Sequence, residues 1–508
     1  MSRFAEVAAA SDAAAATRSR LAKVAAFADL LTRLEAHEVP IVVAILSGGA
    51  RQGRIGVGWA TVGGLREIEP AAGEPTLEVL DVDTCLDRLA AATGPGSVAT
   101  RAAILGDLFG RATAAEADLL RRLLLGELRQ GALESLVAEA VAKAAGVRVG
   151  LVRRAAMLAG DLPAVAAITL HGGGGPALAD MGLRVGTPIQ PMLAATSASV
   201  AEALAVCGEA SVEWKLDGAR LQVHRDGADV HLFTRNLNEV TDRLPGIVAL
   251  VRSFPAQQLV LDGESIFWLE EQAPAPFQDT MSSFGRHTGD AGATLAVRFF
   301  DVLHVDGEDL LDQPLRRRLE MLDQVAGPAA MPRLVTDDPE AAAAFAQDAL
   351  AIGHEGVMVK ALDSPYDAGR RGGSWRKVKP VRTLDLVVLA VEWGSGRRQG
   401  WLSNLHLGAR ATDPGDGFVM VGKTFKGLTD ALLAWQTEQF LARETHREGH
   451  VVHVRPELVV EIALDGVQRS TRYPGGVALR FARVKRYRND KSPAEADTID
   501  TVRALLRS

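Results

Sequence analysis

The sequence predicts a multidomain protein of three consecutive regions: an all-α region over 1–186, an α+β region over 187–383, and a small β-barrel over 384–508. Three observations carry this. Apolar residues recur at helical spacing through roughly the first 170 residues. Polar–apolar alternation around Asp-Gly dipeptides begins after a glycine run. Beyond Leu384, short strand-like runs surround one helical stretch, the texture of a small barrel.

The chain has 508 residues, room for about three domains at about 100–200 residues each. With 47% hydrophobic and 23% charged residues it has ordinary globular composition, which excludes wholesale disorder, collagen-like repeats and coiled coil. In the first region Leu21, Val24, Phe27, Leu31 and Leu34 mark a helix with Ser11 or Asp12 available as N-cap, and Glu116–Ala145 keeps the same period. The Val-, Ile- and Gly-rich stretch Ile41–Ala60 is expected to break the pattern. The Ala-, Ser- and Arg-rich start is interrupted by Glu6 and Asp12, so it reads as an amphipathic helix and not a transit peptide. Gly172–Gly175, between His171 and Pro176, lacks the Lys-Ser/Thr of a P-loop and is expected to be a flexible linker.

In the second region Val212–Thr234 reads as hairpins around Asp217-Gly218 and Asp226-Gly227. Strands are expected at Val260–Phe267, Ala296–Leu303 and Gly356–Val359, and helices at Pro314–Val325 and Pro339–Ile352. In the third, strands at Asp385–Val391, Gly417–Gly422, Val451–Val454 and Leu458–Ala463 accompany a helix at Asp430–Arg443. The absence of a long uncharged apolar run predicts no membrane span. Two cysteines, Cys85 and Cys207, exclude a disulfide framework and a four-cysteine zinc site, which fits a cytoplasmic location.

Net charge is −7, which taken alone argues against a nucleic-acid partner. The charge is uneven: residues 384–508 hold 18 Lys+Arg against 15 Asp+Glu (+3), and residues 191–383 hold 19 against 28 (−9). Local basic patches, not whole-chain charge, bind phosphate.

The first chemical candidate is Lys215-Leu216-Asp217-Gly218-Ala219-Arg220, preceded by Glu213-Trp214. A lysine is a nucleophile only as the free amine, which nearby cations and partial burial promote. Further along stand Arg235, the carboxylate Glu264, the ring-and-acid pair Phe300-Asp301, Glu355 with Lys360, the cationic run from Arg371 through Trp375 to Lys377 and Lys379, and Arg480-Phe481-Ala482-Arg483 before Arg488, Asp490 and Lys491.

In order and spacing these motifs resemble the covalent nucleotidyltransferase superfamily. GELRQGAL in the helical region, TPIQPMLA before the lysine and GSGRRQGWL in the last region narrow the resemblance to ATP-dependent DNA ligases of the bacterial and archaeal type, over essentially the whole chain. Ala482 departs from the proline many relatives have there. The resemblance implies a helical DNA-binding domain, an adenylation domain and an OB-fold domain. It implies that Lys215 attacks the ATP α-phosphate to form lysyl-AMP, that AMP passes to the 5′-phosphate of nicked double-stranded DNA, and that the 3′-hydroxyl displaces it. Phe300 would stack on adenine and Glu213 read its edge. Arg220, Arg235, Arg371, Lys377, Lys379 and Lys360 would serve the nucleotide, with Glu264 and Glu355 holding Mg²⁺. Arg488, Asp490 and Lys491 reach ATP only if the last domain swings over it, on a hinge near Val381–Asp385. Arg398, Lys423, Lys426 and Arg486 are candidate DNA contacts in the barrel, as are Arg121, Arg122, Arg129, Arg153 and Arg154 in the helical region; Trp375 and Trp393 read as packing residues. A monomer is expected.

Three other functions are compatible with parts of this motif set. An RNA ligase or a capping guanylyltransferase shares the lysine but not a helical domain of this kind. A non-catalytic DNA-end-binding scaffold sits poorly with intact Lys215, Glu264, Glu355 and Lys377. An NAD-dependent ligase carries a four-cysteine zinc finger that two cysteines cannot build.

Overall fold

Ser19 closes the first helical turn of Arg20–Leu31 by accepting a 3.3 Å hydrogen bond from the Ala22 N–H, so the chain breaks there and not at Ser11 or Asp12. Both of those lie inside the preceding helix Phe4–Ala16. In the computed structural model, which describes residues 2–53, 55–57, 73–126, 128, 134–270, 273–274, 294–367, 371–413, 415 and 417–506, the first region is helical throughout its regular elements. Val24, Phe27, Leu31 and Leu34 are buried as their spacing requires, whereas Leu21 is 81% exposed. Val39–Leu46 is a helix despite its β-branched composition, because nearly every side chain in it is buried and packing outweighs propensity. Ala114–Leu124 opens with a Thr113–Glu116 capping box and Glu134–Ala145 resumes the period; residues 129–133 between them, with Arg129, lie outside the described residues.

The glycine run is more ordered than its composition suggests. Leu162–His171 ends with the Gly172 N–H donating to the Ile168 carbonyl, and Gly174–Ala179 forms a further short helix whose Leu178 joins the same apolar core as Phe4 and Phe27. The His171 ring is held 3.1 Å from the Leu34 carbonyl. Glycine here ends one helix and permits the positive φ of the next turn, at Gly173 and Gly174.

The middle region is built on two sheets. One has the order Leu193–Thr196, Arg371–Val378, Gly356–Ala361, Ala210–Lys215, Arg333–Thr336; the other Asp229–Thr234, Ala219–Asp226, Gln258–Glu270, Thr294–Val305, Glu308–Asp309. Asp226-Gly227 makes the expected hairpin turn. Asp217-Gly218 does not: Ala210–Lys215 and Ala219–Asp226 belong to different sheets, and the dipeptide is the corner between them. A β-carbon on Gly218 would lie 2.1 Å from the Ser265 carbonyl oxygen, so this corner admits only glycine. The basic run from Arg371 is itself a strand, Arg371–Val378. Helices Val200–Cys207 and Pro339–Ile352 cover the first sheet, and Pro245–Arg252 and Leu315–Ala326 the second.

In the last region the strand Arg382–Trp393 pairs along one edge with Val459–Leu464 and then Val451–Val454, and along the other with Leu402–Arg410. Sharing one long strand between successive partners bends the sheet toward a barrel. Its core includes Leu386, Leu405, Val452 and Ile462, plugged by Phe440 of the helix Asp430–Leu441. The strands Glu444–Glu448, Gly466–Arg469, Val477–Arg480 and Arg483–Tyr487 carry too few alternating apolar residues to stand out in the sequence. Among the described residues, no helix is long and apolar enough to cross a membrane.

Candidate active site

The two middle sheets enclose a cavity of about 450 Å³ lined by Lys215, Glu213, Arg220, Arg235, Glu264, Phe300, Lys360 and Lys377. Lys215 ends its strand, and its carbonyl accepts from the Glu355 N–H at 3.0 Å. That backbone bond brings the Glu355 carboxylate against the Lys215 ammonium in an ion pair. The lysine's partner is thus an anion, where the sequence suggested neighbouring cations. Lys379 Nζ donates to Glu355 from the other side at 3.0 Å. Burial alone would raise Glu355, but the two lysines hold it down at about 2. Glu264 behaves oppositely: desolvation pushes it up to about 7, although Lys215 and Arg220 pull the other way.

Alternation on Thr294–Val305 sorts the ring-and-acid motif. Phe299 packs in the core under the second sheet, Phe300 faces the cavity, and Asp301 turns away into a fully buried pair with Arg318 at 2.7 Å. The Phe300 ring stands edge-on to Trp375 at 6.0 Å. Beneath it lies Lys360, 1% exposed, with its ammonium 4.5 Å from the Phe300 centroid and 4.3 Å from that of Trp375. Lys360 Nζ donates to the Phe300 carbonyl at 3.0 Å and pairs with Glu213 at 2.6 Å. The other Glu213 oxygen accepts from the Ser211 hydroxyl at 2.9 Å. Burial raises Glu213 while Lys360 opposes the rise. Lys360 therefore supports the ring and the acid from below, where the sequence suggested a direct nucleotide contact.

Arg220 is also committed. It makes two bonds to Asp262 at 2.9 and 2.5 Å and one to the Met192 carbonyl at 2.7 Å, and the Tyr366 hydroxyl donates to Asp262 at 2.7 Å. Tyr366, which the sequence did not single out, is buried and also receives the Met192 N–H at 3.1 Å. Arg235 is exposed at the cavity rim. Arg371 begins its strand opposite Leu193; its side chain lies outside the described residues.

The barrel approaches through other residues than those expected. Arg480 donates to Asp217 at 2.7 Å, and Asp465 takes Lys379 at 2.5 Å. Arg488, Asp490 and Lys491 are not at the cavity: Arg488 and Lys491 both bond Asp385, at 2.8 and 2.6 Å, and Arg488 pairs with Asp490 at 2.7 Å. Of the other basic candidates, Lys423 pairs with Glu392, Arg486 with Glu461, Arg122 with Asp12, Arg153 with Glu139 and Arg154 with Asp312. Arg121 lies over the Phe109 ring. Arg398 and Lys426 stand beside the exposed rings of Phe425 and Phe481. Trp375 is 2% exposed, as a packing residue should be, and Trp393 packs against the barrel core.

Three family descriptions match this chain: "DNA ligase N terminus" over residues 63–142, "ATP dependent DNA ligase domain" over 191–379 and "ATP dependent DNA ligase C terminal region" over 398–491. A "Probable DNA ligase" of Saccharopolyspora erythraea is 58% identical over 491 residues, 96% of this chain and 95% of the relative. A "Probable DNA ligase" of Anaeromyxobacter is 57% identical over 509 residues, 99% and 98% of the two chains. The solved structure described as "Pmar-Lig_PreS3" shares the fold, with a TM-score of 0.63 at 20% identity over 95% of this chain and 99% of that one.

Proposed function

This chain belongs to the ATP-dependent DNA ligase family, and from that premise we propose which of its side chains carry each step of nick sealing. As an AMP-forming ligase it joins nicked DNA at the expense of ATP. The observation that carries the residue assignment is the convergence of Lys215, Glu264, Phe300 and Lys377 on one cavity, with Glu355 paired to Lys215.

Lys215 Nζ, released from Glu355 and from its proton, attacks the α-phosphorus. The bond to the bridging oxygen breaks, pyrophosphate leaves, and a phosphoramidate to AMP remains. Phe300 offers its face to adenine, and Glu213, held by Lys360 and Ser211, presents its carboxylate to the base edge. Arg220, Arg235, Arg371 and Lys377 surround ribose and phosphates, and Lys379 is a further phosphate cation. Glu264 and Glu355 fit a hard divalent cation: both are carboxylates beside Lys215, and Glu264 has too little nearby positive charge to offset its desolvation. They would hold Mg²⁺, which neutralises phosphate charge when bound. The 5′-phosphate of the nick then attacks the lysyl-AMP phosphorus, freeing Lys215, and the 3′-hydroxyl attacks the activated 5′-phosphate and expels AMP.

The remaining assignments complete the reading. Residues 1–186 grip duplex DNA, 187–383 carry adenylation, and 384–508 form the OB-fold domain. Arg488, Asp490 and Lys491 reach the nucleotide when this domain turns on the short connection around Val381, and Arg398 and Lys426 face DNA phosphate after it turns back. The protein works as a monomer in the cytoplasm, on the nucleoid when bound to DNA, in the replication, repair and recombination reactions that leave nicks.

The test is sealing of a singly nicked, 5′-phosphorylated duplex with ATP and Mg²⁺, beside Lys215→Ala and a GTP-only reaction. Sealing with ATP that vanishes in the variant supports the assignment. Sealing that survives in Lys215→Ala refutes it.

A further inference from the structure

Far from the nucleotide cavity in sequence, the barrel's edge hairpin carries two histidines and a glutamate on one face. The strands Glu444–Glu448 and Val451–Val454 are antiparallel, with His446 paired in register to His453 and Gly449-His450 forming the two-residue turn. His446 and Glu448 lie two residues apart, so both project to the side of His453. The imidazole rings are parallel within 8° at 4.2 Å between centroids. The Nε2 atoms of both lie near one carboxylate: His446 Nε2 is 3.8 Å from Glu448 Oε1, and His453 Nε2 is 3.7 Å from Oε2. One ligand atom from each residue falls within 4.8 Å of the others.

A neighbouring hydroxyl contacts one of the rings. Thr445 Oγ1 donates to the His453 carbonyl at 3.1 Å and stands 3.2 Å from His446 Nδ1. In the tautomer with its proton on Nδ1, the ring donates to Thr445 while the hydroxyl proton goes to the carbonyl. That tautomer leaves the Nε2 lone pair free for a ligand, 3.8 Å from Glu448 Oε1. A cation between that nitrogen and the carboxylate would satisfy both, and a hydrogen bond from the far ring nitrogen is the usual support of a ligating histidine.

We propose that His446, His453 and Glu448 form a binding site for a borderline-soft divalent cation of the Zn²⁺ class, separate from the all-carboxylate pair at the nucleotide cavity. Two imidazole nitrogens and one carboxylate are a set that Zn²⁺ takes in tetrahedral geometry, leaving the fourth position to water. Bonds of about 2.0–2.1 Å require ligand atoms roughly 3.3 Å apart, so each imidazole–carboxylate distance closes by about half an ångström and the parallel rings turn out of their stack to face one ion. The bound ion ties the two strands of the edge hairpin together, on a strand with most of its residues exposed.

The experiment uses the full chain with Mg²⁺ in excess to occupy the carboxylate pair. Zn²⁺ binding is measured by calorimetry, and Co²⁺, added alone, reports tetrahedral coordination through its visible absorption. The expected result is one equivalent of Zn²⁺ bound by the wild type and absent from His446→Ala/His453→Ala, with Glu448→Gln weaker by about tenfold or more, at least what loss of an outer-shell partner costs. The three substituted side chains are solvent-accessible, so circular dichroism and Mg²⁺-dependent nick sealing should be unchanged in every variant. The same stoichiometry and affinity in the double variant, or a Co²⁺ spectrum unaltered by it, overturns the proposal.

Discussion

Replacing Lys360 by methionine keeps the length of the side chain and removes only its charge. The buried pair with Glu213 then breaks, with both side chains at 2% exposure or less. Breaking one side of such a pair costs about 3–5 kcal/mol, because the remaining charge is stranded away from water. Glu213, already raised by burial, sheds part of that cost by taking up a proton, and then presents a hydroxyl in place of a carboxylate to the cavity. The loss of the cation beneath Phe300 and Trp375 adds about 0.5–2 kcal/mol. Two readouts separate these effects. In urea, the unfolding transition that ATP shifts belongs to the nucleotide-binding region, and Lys360→Met should move it to lower denaturant. In adenylylation assays KM for ATP should rise more than kcat falls. A double-mutant cycle with Glu213→Gln decides the cause. Since the neutral amide of that variant leaves no charge to strand, Lys360→Met should cost far less in its background. Coupling below about 0.5 kcal/mol would refute the claim that the lysine acts through the glutamate.

Lys215→Ala should abolish adenylylation while leaving the unfolding curve close to wild type, as seen by labelling with radioactive ATP. Phe300→Ala should raise KM for ATP about tenfold or more from lost stacking worth about 1–3 kcal/mol, with affinity of the pre-adenylylated enzyme for nicked DNA unchanged by gel shift. The two carboxylates beside Lys215 should give stability slopes of opposite sign in metal-free protein. Glu355, depressed to about 2, contributes stability present above about 4.5 and lost as pH falls toward 2. Glu264, raised to about 7, keeps its proton in the native state after the unfolded chain has lost it, so stability declines from about pH 4.5 to 7 and is flat above. Glu264→Gln should remove the second slope and spare the first in thermal melts across pH.

The membership of the candidate site was legible in the sequence because its residues sit in short contiguous motifs, where residue type and spacing are both visible. Lys215, Phe300, Glu264 and Lys377 meet in one cavity as those motifs imply. Partnerships across sheets were not legible. Nothing local in the sequence says that Arg220 will be held by Asp262 and Tyr366, or that Lys360 will lie under a ring rather than reach a phosphate. Strict alternation along Gly356–Ala361 does put Lys360 on the side of Met358, away from Val357 and Val359, but depth follows from what packs above it. The Asp217-Gly218 corner misled for a related reason: a tight dipeptide between two strand-like runs signals a turn, and only long-range pairing reveals that the strands diverge. The helix at Val39–Leu46 shows composition overruled by burial, and the glycine run shows it overruled by capping.

The barrel's hold on the middle region has a thermodynamic consequence. Arg480 grips Asp217, two residues beyond Lys215, and Asp465 grips Lys379, which also holds Glu355. Any ligand that draws Asp217 or Lys379 toward itself weakens the barrel's grip by the same free energy that the grip subtracts from the ligand's affinity, since linkage is reciprocal. For such a ligand, barrel position and occupancy are two faces of a single equilibrium. Removing Asp465 should tighten one as it loosens the other.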